Sequence, residues 1–128
     1  MDEQTFIKRA TAIGLAAIRL SDELPRTRSA DVIARQLIRS ATSVGANYRA
    51  SCRARSVNDL IAKLGIVEEE ADETLYWLDV LVASGLAPEV RVAPIRQEAD
   101  EVLAMTVASK RTLKARASIG NRKSAIEN

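Results

Sequence analysis

Histidine is absent from this chain of 128 residues. Its absence removes the commonest general base and the commonest metal ligand together. Cys52 is the only cysteine, so an internal disulfide is excluded. No long apolar run is present either. The apolar segment 10–18 is too short to span a bilayer and is bracketed by Lys8, Arg9 and Arg19. Nothing resembles a secretory signal, so a cytoplasmic protein without membrane contact is expected. Aromatic residues are limited to Phe6, Tyr48, Tyr76 and Trp77, which leaves Ala, Val, Ile and Leu to build the core. With five glycines and three prolines the chain has few places to turn. These shortages together point to a few long helices in one domain and away from a sheet.

The net charge of +2 conceals strong segregation. Residues 26–63 carry eight Arg or Lys against two acids, whereas residues 64–101 carry ten acids against two bases. Residues 102–128 turn basic again, with six Arg or Lys against one acid. Solvated helices usually mix their signs, so such blocks call for a partner, inside the fold or outside it.

Apolar spacing predicts four helices. The first starts at Asp2 as its cap and stops before Pro25, with Phe6, Ala10, Ile13, Ala17, Leu20 and Leu24 recurring at steps of four and three. The second is predicted from a Ser29 cap to about Ala54, with a stripe through Ile33, Leu37, Ala41, Val44 and Tyr48. Gly45 in its interior costs about 1 kcal/mol relative to alanine. Close approach of a neighbouring helix is the expected compensation, with Gly65 on helix three as counterpart. The third starts at Ser56, whose spacing to Asp59 resembles a capping box, and ends at Gly85. The fourth is predicted to carry Pro94 in its first turn and to pass at Ser118 into a flexible basic tail. The expected fold is all-α: an up-and-down antiparallel four-helix bundle over 1–117, followed by the tail 118–128.

The turn at Arg55 and Ser56 is tight, so residues equidistant from it face each other across helices two and three. Arg39 then falls opposite Glu73, with Glu69 as its neighbouring acid, and an inter-helix ion pair is expected there. Arg49, Arg53, Arg55 and Lys63 have too few facing acids to be neutralised in this way. They form an electropositive end suited to phosphates, or a solvated end or subunit contact. Tyr48 is the only aromatic nearby and belongs to the core stripe, so base stacking is poorly supported.

Enzymatic constellations are missing. A di-metal carboxylate bundle needs Glu-x-x-His pairs, and paired-carboxylate hydrolysis needs an open cleft between two acids. Basic neighbours of Cys52 would lower its pKa, yet without a histidine base it is expected to be a packed or half-exposed thiol. No catalytic residue, metal or cofactor is expected.

The run Q-L-I-R-S-A-T-S-V-G-A-N-Y-R, then A-R-S and K-L-G-I, then E-E-E-A-D-E-T-L-Y-W-L, resembles the four helix bundle protein family. Members of that family are similar to proteins encoded in the intervening sequences of bacterial large-subunit ribosomal RNA. The resemblance covers residues 5–117, and Arg39, Ser40, Ser43, Asn47, Arg55, Lys63, Glu70, Glu73 and Trp77 match its pattern. Ala50 stands where the family usually has Glu, which makes this turn more basic than is common, and Leu60 stands where the family has an aromatic. The resemblance implies a ring-like homopentamer. More distantly, the chain is similar to the accessory variability protein of diversity-generating retroelements, a basic pentamer that works with a reverse transcriptase and nucleic acid.

Two non-enzymatic functions follow. One is an oligomeric protein-interaction scaffold whose charge blocks serve contacts between subunits. The other is an accessory protein that binds RNA or DNA through Arg49, Arg53, Arg55 and Lys63.

Overall fold

Each of the first three helices starts where a side-chain acceptor meets amides that have no intrahelical partner. In the computed structural model, which describes residues 1–127, the Thr5 amide donates to Asp2 Oδ1 at 2.7 Å and starts α1 (Glu3–Glu23). The start of α2 (Arg28–Ser51) differs from expectation by two residues: Thr27, not Ser29, is the cap. Thr27 keeps an extended backbone while its hydroxyl accepts the Ala30 amide at 3.2 Å, which already places Ser29 inside the first turn. Ser56 caps α3 (Val57–Ala83) by accepting the Asp59 amide at 3.0 Å. Asp59 reaches back to the Arg55 amide at 3.0 Å, one residue further than a capping box requires.

Gly85 ends α3 with a φ of 76° and lets the Leu86 amide bond the Leu81 carbonyl at 3.0 Å. The last helix, α4 (Glu89–Glu127), is longer than expected in both directions. The Pro88 carbonyl accepts the Val92 amide at 3.3 Å and opens it, so Pro94 lies in the second turn and not the first. The hydrogen bond that Pro94 cannot donate would have gone to the carbonyl of Val90, a residue 81% exposed, where water replaces it at small cost. At the other end the segment read as a tail from Ser118 continues the same helix to Glu127, and its described side chains are exposed. Asn128 lies outside the described residues.

Four antiparallel helices pack in chain order around one core, and α4 closes the ring against α1, its least extensive seam. The small heptad residues draw the helices close. Ile13, Leu37, Leu78 and Val102 contribute one fully buried side chain per helix. A buried contact of 3.2 Å between the Thr74 and Ser40 hydroxyls ties α2 to α3.

The glycines correct one expectation. A Cβ on Gly45 would lie 3.2 Å from the Thr11 backbone in α1, and one on Gly14 would lie 3.1 Å from Thr42 Cα in α2. The close crossing is therefore between α1 and α2, built reciprocally by Gly14 with Thr42 and Gly45 with Thr11. Gly65 takes no part: a Cβ there meets only the Lys110 ammonium at 3.6 Å.

Candidate functional site

The charge blocks resolve first into seams. Arg39 pairs with Glu73, as its distance from the turn requires, and with Glu70 at 3.3 Å. Glu69 is exposed and is not the second partner. Glu70 precedes Glu73 by three residues and rotates toward α2, whereas Glu69 precedes it by four and rotates away. Lys110 of α4 reaches Glu68 of α3 at 2.7 Å, Arg96 reaches Asp79 at 3.0 Å, and Arg9 of α1 holds both Glu98 and Glu101 of α4. Most of the acidic block is thus matched within one chain.

The predicted basic residues come together in part. Arg53, Arg55 and Lys63 surround a shallow depression at the α2–α3 end, with Asp59 among them. Lys63 bonds Asp59 at 2.7 Å, so it is neutralised in place, contrary to the expectation that it lacks an acid. The Lys63 ammonium, followed by the Arg55 amide, holds the Asp59 carboxyl below the usual carboxylate range. Arg49 is exposed on α2 but does not line the depression. The free positive charge here is that of Arg53 and Arg55.

Beside it lies a groove of about 800 Å³ between the α2–α3 turn and α4. Leu60, Leu64 and Leu113 form its floor, and exposed Arg55 and Arg116 stand at its rim. Sequence reasoning missed this groove because it depends on the level at which α1 begins beside α4, which no linear pattern states, although its α4 lining from Ala108 to Arg116 falls within the expected bundle.

Cys52 and Tyr48 line the same groove. Basic neighbours do not activate the thiol: burial, and then the nearby Glu3, push its pKa up to about 11. Burial likewise raises the Tyr48 phenol to about 12, with its ring stacked 3.9 Å from that of Phe6. A thiol raised in the folded state favours the protonated form, so its contribution to stability is complete below the ordinary thiol range and is lost as pH rises toward about 11. Iodoacetamide at pH 8 is accordingly expected to alkylate Cys52 about tenfold or more slowly than it does the unfolded chain in urea. Equal rates would show that the thiol is not held back by burial. Among the described residues no group of three acids or cysteines is placed to hold a metal, and no helix is long and apolar enough to cross a membrane.

Fold and surface define an all-α, up-and-down four-helix-bundle protein with charge-paired seams and one basic-rimmed groove. The chain belongs to the family described as 23S rRNA-intervening sequence protein, which matches residues 2–108. It is also similar to a solved structure of a protein of unknown function from the S23 ribosomal protein family of Bacteroides thetaiotaomicron. That likeness has 27% identity and a TM-score of 0.80, over 87% of this chain and 99% of the other. A search of curated proteins found no match. The family match ends at Ala108, so the α4 wall of the groove beyond that residue lies outside it.

Proposed function

We propose that this protein is a non-enzymatic, cytoplasmic interaction scaffold that self-associates through the outer face of α1 and α2. The observation that carries this is an exposed surface without charge. Thr11, Leu15 and Ile18 form one row on α1, and Ile38, Thr42 and Ala46 form the adjoining row on α2. The reciprocal glycine contacts bring these rows side by side and flatten the surface between them. Leu15 is 48% exposed and Ile18 39%, although both lie in the middle of a helix where a monomer would normally place charge. The ion pairs across the α2–α3 and α3–α4 seams already satisfy much of the acidic block. Charge segregation therefore favours this apolar face over the exchange of basic and acidic helices between subunits. The homopentamer implied by the sequence resemblance is one closed ring that such a patch would support.

Light scattering tests the assignment. The unmodified chain is expected to run as an oligomer at micromolar concentration, with a mass of five chains if the ring forms. The double variant Leu15→Asp with Ile18→Asp should run as a 13.9 kDa monomer with unchanged helical circular dichroism, a loss of more than about 2 kcal/mol per contact. A monomeric unmodified chain, or a double variant of unchanged mass, would refute self-association through this face.

A second function, RNA or DNA binding at the α2–α3 end, is favoured by the exposed guanidinium groups of Arg53 and Arg55 in one depression. Binding of labelled RNA that weakens steeply between low and high salt would support it.

A further inference from the structure

The large groove follows the track of α1. On α4, the row that faces α1 begins with Glu98, Glu101 and Met105, and all three contact Arg9. The same row continues at helical spacing through Ala108, Thr112 and Arg116, which line the groove. Glu3, the first residue of α1, lines its upper end together with Ala108. The groove thus occupies the position that one more stretch of helix, laid end to end with α1, would fill. Beyond it the row extends through Ile119, 63% exposed, and Lys123. From Ala108 to Lys123 this wall is about 22 Å long at 1.5 Å per residue, which suits roughly four turns of helix.

The chemistry of the slot narrows its occupant. An apolar floor of Leu60, Leu64 and Leu113 asks for an apolar stripe at helical spacing. Arg55 and Arg116 at the rim, with Lys123 further along the wall, ask for carboxylates on either side of that stripe. The overhanging end of α4 from a second copy does not meet this requirement, because its own Arg116, Arg122 and Lys123 would oppose the rim. On α3 of a second copy Glu68, Glu70 and Glu73 are already paired, which leaves Glu69 and Asp72 as the acids it could offer. A phosphate backbone would satisfy the arginines but leave the leucine floor uncovered. Tyr48, the aromatic residue in the groove, is stacked on Phe6 and unavailable to bases.

We infer that this slot docks an amphipathic helix from a different protein, with acidic residues flanking its apolar stripe. The inference rests on the interaction-scaffold function and names the class of partner. It is tested with a fluorescein-labelled helical peptide of roughly 14 residues, with leucines at i, i+3, i+7 and i+10 and glutamates on both flanks, against a lysine-flanked counterpart. Anisotropy with the full chain should show the acidic peptide binding at least about tenfold more tightly. Leu60→Asp should weaken that binding about tenfold or more, and Cys52 should be protected from alkylation when the peptide is bound. The exposed double variant Arg55→Glu with Arg116→Glu should reverse the preference toward the lysine-flanked peptide, which a merely destabilised fold would not do.

Equal binding of the two peptides, or none at about 100 µM, would overturn the docking site. So would labelled single-stranded RNA that loses affinity in the arginine double variant but not in Leu60→Asp, since that pattern assigns the rim to phosphates. Light scattering of the same samples separates the two proposals. An oligomer that binds neither peptide refutes only the slot, and a monomer that binds the acidic peptide refutes only self-association.

Discussion

Gly45→Leu is expected to cost the fold about 3 kcal/mol or more, and Gly65→Ala to stabilise it by up to about 1 kcal/mol. Both glycines lie inside helices and look equivalent in the sequence. They differ in what stands opposite. Even the first carbon of a side chain at position 45 would lie 3.2 Å from the Thr11 Cα and amide nitrogen, and that backbone belongs to a packed helix which cannot yield cheaply. A leucine there must drive α1 from α2 and open the core between them. At position 65 an added methyl would lie 3.6 Å from the Lys110 ammonium, an ordinary van der Waals distance. The substitution then removes the backbone entropy cost of glycine at no steric expense. Urea denaturation of both variants reads this out as midpoints displaced in opposite directions. Midpoints displaced the same way would show that the crossing of α1 and α2 is not as close as described.

Leu78→Ala is expected to cost about 3–4 kcal/mol and to lower Tm by about 10 °C or more. Leu78 is fully buried on α3, in a core whose other layers are largely alanine and valine. A close-packed core collapses only in part into the space that its removal would leave, so a cavity persists and adds to the lost transfer energy. Ile66→Ala on the same helix is the control. That side chain is 42% exposed, and its truncation should cost less than about 1 kcal/mol. Calorimetry in which the two variants melt together would contradict the assignment of Leu78 to the core.

Much of the fold was legible because it depends on local spacing. The steps of four and three through Phe6, Ala10, Ile13, Ala17 and Leu20 mark the buried face of α1, and those residues are all buried. Asp2 and Ser56 cap the helices they precede because a short polar side chain there can accept an amide whatever lies beyond. The pairing of Arg39 with Glu73 followed from the tightness of one turn. Where two local signals competed, tertiary context decided. Thr27 took the cap that Ser29 could also have supplied, and Pro94 was tolerated within α4 because the carbonyl it deprives belongs to the exposed Val90.

The candidate site was legible only in fragments. Arg53 and Arg55 were visible as bases near a turn, but Lys63 turned out to be neutralised by Asp59 four residues earlier. The groove depends on three helices ending at different levels, and a linear pattern does not state how far one helix extends beside another.

By itself, the sequence determined the helical class, four elements, their antiparallel order and the residues facing the core. Each of these follows from periodicity, end signals and short connections along the chain. The tertiary structure alone decided which glycine meets which backbone, which acids are already paired, and where α4 outlasts α1 to leave a helix-wide slot. Those features depend on the relative levels and rotations of separate helices. These are set by the packing of whole surfaces and not by any one stretch of chain.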